Sequence, residues 1–290
     1  MTPFLALCLL SRLAYAFNDV LVGRLAREHG HVEIAALRGL SLGLTMSPLL
    51  VGVPSAAWAG LAARWPSVLL LVAVTGACNV MQNQASRVLP FGLRAAFMIS
   101  TVSLASVVFG GVFFAERLTP AQAVLCLVLV GSAVLAALGS HAAHEIRPDV
   151  PKGALLSFGA GSCLAIAAVI TKRLSLETSP LLTAWAWEFG TGLVLVLPLL
   201  WQWRKGVAPG IARRFYRTTA ASAPTVVGSG ASMLALAMGA LGLWGALAGT
   251  QVLFIAALGV RWHRETVDAR RWLCFASAAA AVAGLAFAAR

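Results

Sequence analysis

The sequence predicts an all-α integral membrane protein with ten transmembrane helices arranged as two inverted five-helix repeats. Of its 290 residues, 60% are hydrophobic and 11% are charged, whereas an ordinary soluble domain carries about 25% charged residues. The apolar residues form long unbroken runs, which differ from the short alternating strands of a membrane β-barrel. These two observations exclude a soluble globular protein and an intrinsically disordered one, and an internal repeat supplies the two-part arrangement.

Each apolar run is long enough, at about 20 residues, to cross a bilayer as a helix. The predicted spans are 3–22, 34–53, 67–86, 92–114, 120–138, 152–172, 180–201, 219–240, 242–262 and 270–289. Polar residues interrupt the first run and no basic segment precedes it, so we expect a retained span and not a cleaved signal peptide. The intervening loops are too short for a separate domain, which places the function within the bilayer.

A weak internal repeat divides the chain. When the sequence is compared with itself at an offset of 149 residues, four charged positions match, including Glu116 with Glu265. Charged residues are scarce here, so four matches at one offset exceed what chance readily gives. We predict an N-terminal repeat at 1–141 and a C-terminal repeat at 152–290. Five helices per repeat invert the second half in the membrane, as in secondary transporters that bind their solute near the midplane between the halves.

The charge balance is strongly basic, with 22 Lys and Arg against 10 Asp and Glu. The basic residues lie mostly in short loops, where they are expected to fix topology and contact anionic lipid, so we predict no nucleic-acid partner. Five of these loop charges lie on the side of the N-terminus and fifteen on the other side. The positive-inside rule then predicts that both termini lie outside the cytoplasm. The Arg-, Ala- and Gly-rich composition is typical of a bacterial protein, so the bacterial inner (plasma) membrane is the expected location.

The segment Phe-Phe-Ala-Glu-Arg-Leu-Thr at 113–119 precedes the fifth span. It resembles the "fl-GERLT" junction between the fourth and fifth helices of EamA-type proteins, which belong to the drug/metabolite transporter superfamily. Arg38 also lies where these proteins often carry an arginine. The resemblance covers the whole chain in length, helix count and repeat. It implies a ten-helix exporter or exchanger of small organic metabolites such as amino acids or amines, with both termini inside.

The recognisable Glu116 is predicted to be structural, as is its repeat partner Glu265. Each precedes a new helix, and a carboxylate near a helix N-terminus is favourable by about 0.3–1 kcal/mol. Together with Thr119 and Asp268, the two glutamates are expected to cap the helix that follows each of them.

Polar residues inside the predicted spans are costly to insert, so the few that are present indicate where a solute binds. In the first and third spans they recur at the spacing of one helix face. Others lie in the fourth, seventh and ninth spans. The candidate substrate-binding residues are Arg12, Tyr15, Asn18, Asp19, Asn79, Gln82, Asn83, Thr101, Trp185, Trp187, Glu188 and Gln251.

Arg12 and Glu188 are expected near the midplane in opposite halves, facing one cavity. Such a pair would bind a zwitterion, with Arg12 on the carboxylate and Glu188 or Asp19 on the ammonium group. A carboxyl in these surroundings would also suit a coupling proton. The alternative is a structural salt bridge from Arg12 to Glu188 or to Asp19.

We therefore predict a monomeric secondary-active transporter that works by alternating access and is not an enzyme. Its expected partners are the solute, protons and the lipid bilayer. No cofactor or metal is expected, because the chain lacks Walker A and zincin motifs, and His141 and His144 have no third ligand nearby. The alternative is an intramembrane lipid-modifying enzyme, against which the lack of a nucleophile constellation in the spans argues.

Overall fold

The computed structural model describes residues 2–89, 91–138, 149–204, 206, 210–263 and 269–287. In these ranges the chain forms helices and no strand, which confirms the all-α prediction. The helices are α1 (Thr2–Glu28), α2 (His31–Met46), α3 (Ser55–Ala63), α4 (Trp65–Val88), α5 (Phe91–Phe114), α6 (Pro120–Leu138), α7 (Val150–Glu177), α8 (Pro180–Trp203), α9 (Ile211–Met238), α10 (Leu241–Leu247), α11 (Gly249–His263) and α12 (Ala269–Phe287).

Six of the described helices, α1, α4, α5, α7, α8 and α9, are long and apolar enough to cross a membrane. The shortest of them has 24 residues, or about 36 Å of helix, against a hydrocarbon core of about 30 Å. Their outer surfaces carry large apolar side chains, such as Leu155 at 74% and Leu197 at 71% exposure. The protein is therefore a multi-pass membrane protein. The count of ten spans stays a prediction.

Two predicted spans are broken in the structure. Within 34–53, α2 ends at Met46 and a 3-10 turn follows at Ser47–Leu50, because Pro48 has no N–H to continue the α-helical ladder. Within 242–262, α10 and α11 are separated at Ala248, whose N–H bonds to the carbonyl of Gly245 three residues back at 3.0 Å. The short helix α3 was not predicted from the sequence.

The helices pack in pairs that bring distant parts of the chain together. α1 packs on α9, α7 on α4, α2 on α8 and α6 on α12, while α5 contacts α7, α10 and α11. The α2–α8 crossing is very close, because a Cβ at Gly39 would lie 2.5 Å from Cα of Gly192. Only glycine allows backbones to approach in this way. This crossing brings the neighbouring Arg38 and Glu188 together.

Two basic residues that the orientation prediction counted as loop charges are buried in helices. Arg94 on α5 is 1% exposed and Lys172 on α7 is 7% exposed. Each pairs with a carboxylate, so neither contacts anionic lipid. Without them, four loop charges remain on the side of the N-terminus and fourteen on the other side. The imbalance between the two sides persists, and the membrane orientation stays a prediction.

Candidate functional site

A cavity of about 70 Å³ lies at the centre of the helix bundle, between α1, α2, α4, α5 and the helices α7 to α11. Its walls combine apolar side chains with charged groups, amides and hydroxyls. Each charged residue in the wall is more than nine-tenths buried. These charged residues are Arg12, Asp19, Arg38, Arg94 and Glu188.

The first ion pair in the cavity wall joins α2 to α8. Arg38 donates from Nη1 to Oε2 of Glu188 at 3.0 Å and from Nη2 to Oε1 at 3.4 Å. Ser229 on α9 donates to the same Oε1 at 2.6 Å. Arg38 also donates to the amide oxygens of Asn18 and Asn79, at 3.4 and 3.2 Å. The Glu188 carboxylate thus accepts a bidentate pair of bonds from Arg38 and one bond from a hydroxyl, and bidentate bonds between charged groups are strong.

The second ion pair joins α1 to α5. Nη2 of Arg94 lies 3.0 Å from Oδ2 of Asp19. Two amides complete the coordination of this carboxylate, since Gln82 donates to Oδ1 at 2.8 Å and Gln251 donates to Oδ2 at 2.9 Å. Arg94 also donates from Nη1 to Oγ of Ser86 at 2.9 Å. Both oxygens of Asp19 are therefore occupied by side chains of the protein.

Arg12 differs from the other two arginines. It is 2% exposed and has no carboxylate partner, and its Nε and Nη2 have no hydrogen-bond partner among the described residues. Nε and Nη2 of Arg94 also lack hydrogen bonds there, but Nη2 of Arg94 lies 3.0 Å from the Asp19 carboxylate. The guanidinium of Arg12 instead contacts an aromatic ring, with the guanidinium carbon 4.2 Å from the ring centroid of Trp244. Inserting an arginine at the centre of a span costs about 2.5–3.5 kcal/mol, and a cation–π contact returns about 2 kcal/mol when desolvated. Arg12 therefore retains unused hydrogen-bonding capacity at the cavity.

Hydroxyl groups of α9 fix the side chains around Arg12. Ser232 accepts from Nε1 of Trp244 at 3.1 Å, which holds the indole beneath the guanidinium. Ser229 donates to Glu188, so its oxygen accepts from the Tyr15 hydroxyl at 3.0 Å. The aromatic wall around Arg12 is thus preorganised, since these rings are held by hydrogen bonds as well as by packing.

The comparison with protein families bears on the class of this multi-pass protein. The model of the EamA-like transporter family matches residues 2–138. Residues 2–138 belong to the EamA-like transporter family. This match places the protein in the drug/metabolite transporter superfamily and confirms the resemblance that the sequence indicated. Since the members of this family are transporters and not enzymes, it also agrees with the expectation of a non-enzyme.

The whole chain is similar in fold to a solved structure. A crystal structure, described only as that of a protein, superposes with a TM-score of 0.74 over 97% of this chain and 96% of the other, at 14% sequence identity. At that identity the similarity shows the fold alone. No curated protein matches the sequence.

Most of the site residues predicted from the sequence lie together around the cavity. They come from α1, α4, α8 and α11, which are far apart along the chain. Ten of the twelve predicted residues line it: Arg12, Tyr15, Asn18, Asp19, Asn79, Gln82, Asn83, Trp187, Glu188 and Gln251. Their number and variety make the cavity the candidate solute site.

The structure places the other two predicted residues, Thr101 and Trp185, outside the cavity wall. Thr101 donates to the carbonyl of Phe97 at 2.9 Å, the local bond that a helical threonine commonly makes. Trp185 donates to the carbonyl of Gly43 at 3.0 Å and packs edge-on against Trp58. Side chains two positions apart on a helix point about 200° apart, so Trp185 and Trp187 cannot share one face.

The alternative to a zwitterion site, a salt bridge from Arg12 to Glu188 or Asp19, is absent from the described structure, because those carboxylates pair with Arg38 and Arg94. Sequence reasoning did not include either arginine in the site. Arg38 was noted only for the family resemblance, and Arg94, although it lies inside the predicted span 92–114, was counted with the basic residues of the loops. The available signal was charge matching, since two buried carboxylates in the spans require two buried cations.

The predicted role of Glu116 in the EamA-type junction is correct in kind but wrong in the helix that it caps. The carboxylate accepts from the backbone N–H groups of Leu241 and Gly242 at 2.9 and 3.1 Å, which caps α10 and not the following α6. It also pairs with Lys172 of α7. Thr119 does cap α6, because its hydroxyl accepts from the N–H of Gln122 at 3.2 Å. Glu265 and Asp268 lie outside the described residues, as do His141 and His144.

The junction begins with a strained residue. Ala115, immediately after α5, has a φ of 52° and is the one described non-glycine residue with positive φ. This left-handed conformation places Cβ close to the following carbonyl and costs about 1–2 kcal/mol for an L-residue other than glycine. The left-handed conformation at Ala115 reverses the chain direction after α5, and the N–H of Glu116 donates to the carbonyl of Gly110 at 3.1 Å.

Proposed function

We propose that this protein is a secondary-active transporter that moves small organic metabolites across a bacterial plasma membrane by alternating access. The observation that carries the proposal is the buried polar cavity, which is lined by helices from both the first and second parts of the chain. The EamA-like match over residues 2–138 supports the transport function. A multi-pass fold with a central ligand site between packed helices is the common architecture of secondary transporters.

The proposed architecture is ten spans in two inverted repeats, 1–141 and 152–290. The helix packing supports it, because the helix of the first span in each proposed half contacts the helix of the third span in the other half. These contacts are α1 on α9 and α7 on α4. The second helices, α2 and α8, pack on each other, and so do the last helices, α6 and α12. Swapping the two halves therefore converts the α1–α9 contact into the α7–α4 contact and leaves the α2–α8 and α6–α12 contacts unchanged. A two-fold axis in the membrane plane requires this equivalence.

Protons are the proposed coupling ion, carried by Glu188 or Asp19. Each of these carboxylates is bonded to an arginine in the structure. A carboxylate that carries a proton during the cycle must release its arginine in another conformation, because the arginine occupies the oxygen atoms that would take the proton. In protein that thermal unfolding shows to be folded, we expect Glu188→Gln or Asp19→Asn to make net solute uptake independent of an imposed pH gradient. In a transporter without proton coupling, uptake would be independent of the gradient before mutation as well.

The test of transport is reconstitution of the purified chain into liposomes, with a radiolabelled metabolite panel of organic acids, amino acids and amines. We expect accumulation of an unmodified solute and exchange with unlabelled solute on the other side. Recovery of chemically altered lipid without solute movement would instead favour the lipid-modifying enzyme. Absence of movement for the whole panel, with no lipid product, would contradict the proposed transport.

Alternating access can be tested at the cavity wall with Cys78, which lines the cavity and is 3% exposed. In a variant that keeps only this cysteine, the water-soluble thiol reagent 2-hydroxyethyl methanethiosulfonate should label it, because the cavity opens to water during the cycle. Excess transported solute should slow the labelling. The matched control keeps only Cys126, which is similarly buried at 5% on α6 but lies outside the cavity. Equal labelling of both variants would indicate general loosening and contradict a gated cavity.

A further inference from the structure

The five charged residues of the cavity wall do not balance. Three are arginines and two are carboxylates. The two carboxylates are bound to Arg38 and Arg94 at 3.0 Å each, which leaves the charge of Arg12 uncompensated. The described cavity therefore carries one net positive charge, and that charge is located on Arg12.

The carboxylates of the site are poorly placed to receive a cationic ligand. Oε1 of Glu188 already accepts from Ser229 and from Arg38, and Oε2 accepts from Arg38. Both oxygens of Asp19 accept from amide side chains, and one also contacts Arg94. An ammonium group would have to displace a charged donor and bring a second uncompensated cation into the same cavity. Electrostatics therefore disfavour an amine.

Arg12 is well placed to receive an anion. Its guanidinium is stacked on Trp244 at 4.2 Å, and the indole is fixed by its bond to Ser232. Stacking covers a face of the planar group and leaves the N–H donors, which lie in its plane, available for hydrogen bonds. Nε and Nη2, which lack partners, form the edge that binds a carboxylate through two parallel bonds.

We propose that Arg12 is the anion-binding residue of the solute site and that the transported solute is a small organic monocarboxylate. A single negative charge balances the single excess positive charge of the cavity, whereas a dianion or an amine leaves the site charged. The cavity volume of about 70 Å³ favours a short acid. The inference rests on the proposed transport function for its physiological meaning, but the binding of the anion can be measured separately.

The experiment compares three chemically matched series by thermal unfolding of the purified protein in detergent. The series are acetate, propionate and butyrate, then glycine, alanine and 2-aminobutyrate, and then methylamine, ethylamine and propylamine. We expect the acids to raise the melting temperature in a saturable way, the amino acids to do so more weakly and the amines not at all. The absence of a response to every acid, or a larger response to the amines, would overturn the proposal.

Variants of Arg12 provide the decisive test, because they separate binding from stability. Arg12→Gln removes a buried charge that has no partner, so we expect an unchanged or higher melting temperature without ligand. We also expect the acids to bind about tenfold more weakly or worse, measured as the concentration that half-saturates the shift in melting temperature. Arg12→Lys should retain part of the response. The control is Arg173→Gln, which removes an exposed arginine that lies near Phe113 and Phe114 away from the cavity. If Arg12→Gln bound the acids as the unmodified protein does, Arg12 would not be the anion site.

The outcomes distinguish this proposal from the transport function. Uptake of an amine or neutral solute that is unaffected by Arg12→Gln would overturn the monocarboxylate proposal and leave transport intact. Acid binding that depends on Arg12, combined with no movement of any solute in liposomes, would keep the anion site and overturn transport. Arg12-dependent uptake of a short acid would support both.

Discussion

Glu116 connects three separate segments of the chain, so we predict that replacing its carboxylate destabilises the fold. Oε1 accepts from the Lys172 ammonium group and from the N–H of Leu241, and Oε2 accepts from the N–H of Gly242. In Glu116→Gln, one oxygen remains to cap α10. Lys172 loses its charged partner and keeps the carbonyl of Gly239 at 2.8 Å.

The expected cost follows from the burial of this pair, whose side chains are 9% and 14% exposed. Removing one partner of a buried ion pair costs about 3–5 kcal/mol, because the other charge stays buried. The Phe114 ring, centred 4.8 Å from Nζ of Lys172, offsets a part of this cost. We therefore expect a loss of about 3 kcal/mol, which corresponds to a decrease of roughly 6–12 °C in the melting temperature.

Thermal unfolding in detergent measures this effect, with two further variants as controls. Glu177→Gln removes a carboxylate from the pair with Arg64, which is 38–46% exposed, so its cost should be below about 1 kcal/mol. The double variant Glu116→Gln/Lys172→Met should recover most of the lost stability, because no buried charge remains. A double variant that is no more stable than Glu116→Gln would refute the reasoning. So would a Glu116→Gln protein that melts normally but does not transport.

Three further predictions concern stability and can be measured in the same assay. Ala115→Gly should raise stability by about 1 kcal/mol, because glycine adopts a φ of 52° without strain; a lower melting temperature would contradict the left-handed turn. Gly39→Ala should cost more than about 2 kcal/mol because the added Cβ would collide with α8, whereas Gly131→Ala, with nothing within 4 Å, should be neutral or stabilising. Glu188→Gln should cost about 3–5 kcal/mol by leaving Arg38 buried without a counter-charge, and a second change, Arg38→Gln, should restore part of it; additive losses would show that the two residues are not coupled.

Helix positions and the polar character of the centre could be predicted from the sequence, because both depend on local patterns. Tyr15, Asn18 and Asp19 recur on one face of a single apolar helix, and the structure places all three in the cavity wall. The pattern contains this information since side-chain direction follows from helix geometry alone. The break at Ala248 was not predicted, although Gly245 and Gly249, which weaken a helix, lie on either side of it.

The pairing of charges could not be predicted, because it depends on which helices touch. Arg94 lies 75 residues from Asp19 in sequence, and Arg38 lies 150 residues from Glu188. Arg94 near a helix end would ordinarily extend toward the membrane surface, but the packing of α5 turns it inward. Glu116 shows the same limit, since its role as a cap was predictable and the identity of the capped helix was not.

If the protein is the transporter that we propose, the single excess positive charge in the cavity wall would link solute movement to membrane voltage. Moving one elementary charge across the full membrane changes the free energy by about 2.3 kcal/mol per 100 mV. A cavity that holds Arg12 with a bound monoanion is neutral and would be insensitive to that field. In a cycle without a coupling proton, the same cavity without the anion would carry its charge through the field, and the return of the empty carrier would be the electrogenic step. A proton on Glu188 or Asp19 would add one positive charge to the loaded cavity and make solute movement electrogenic as well, so transport currents distinguish the two cycles.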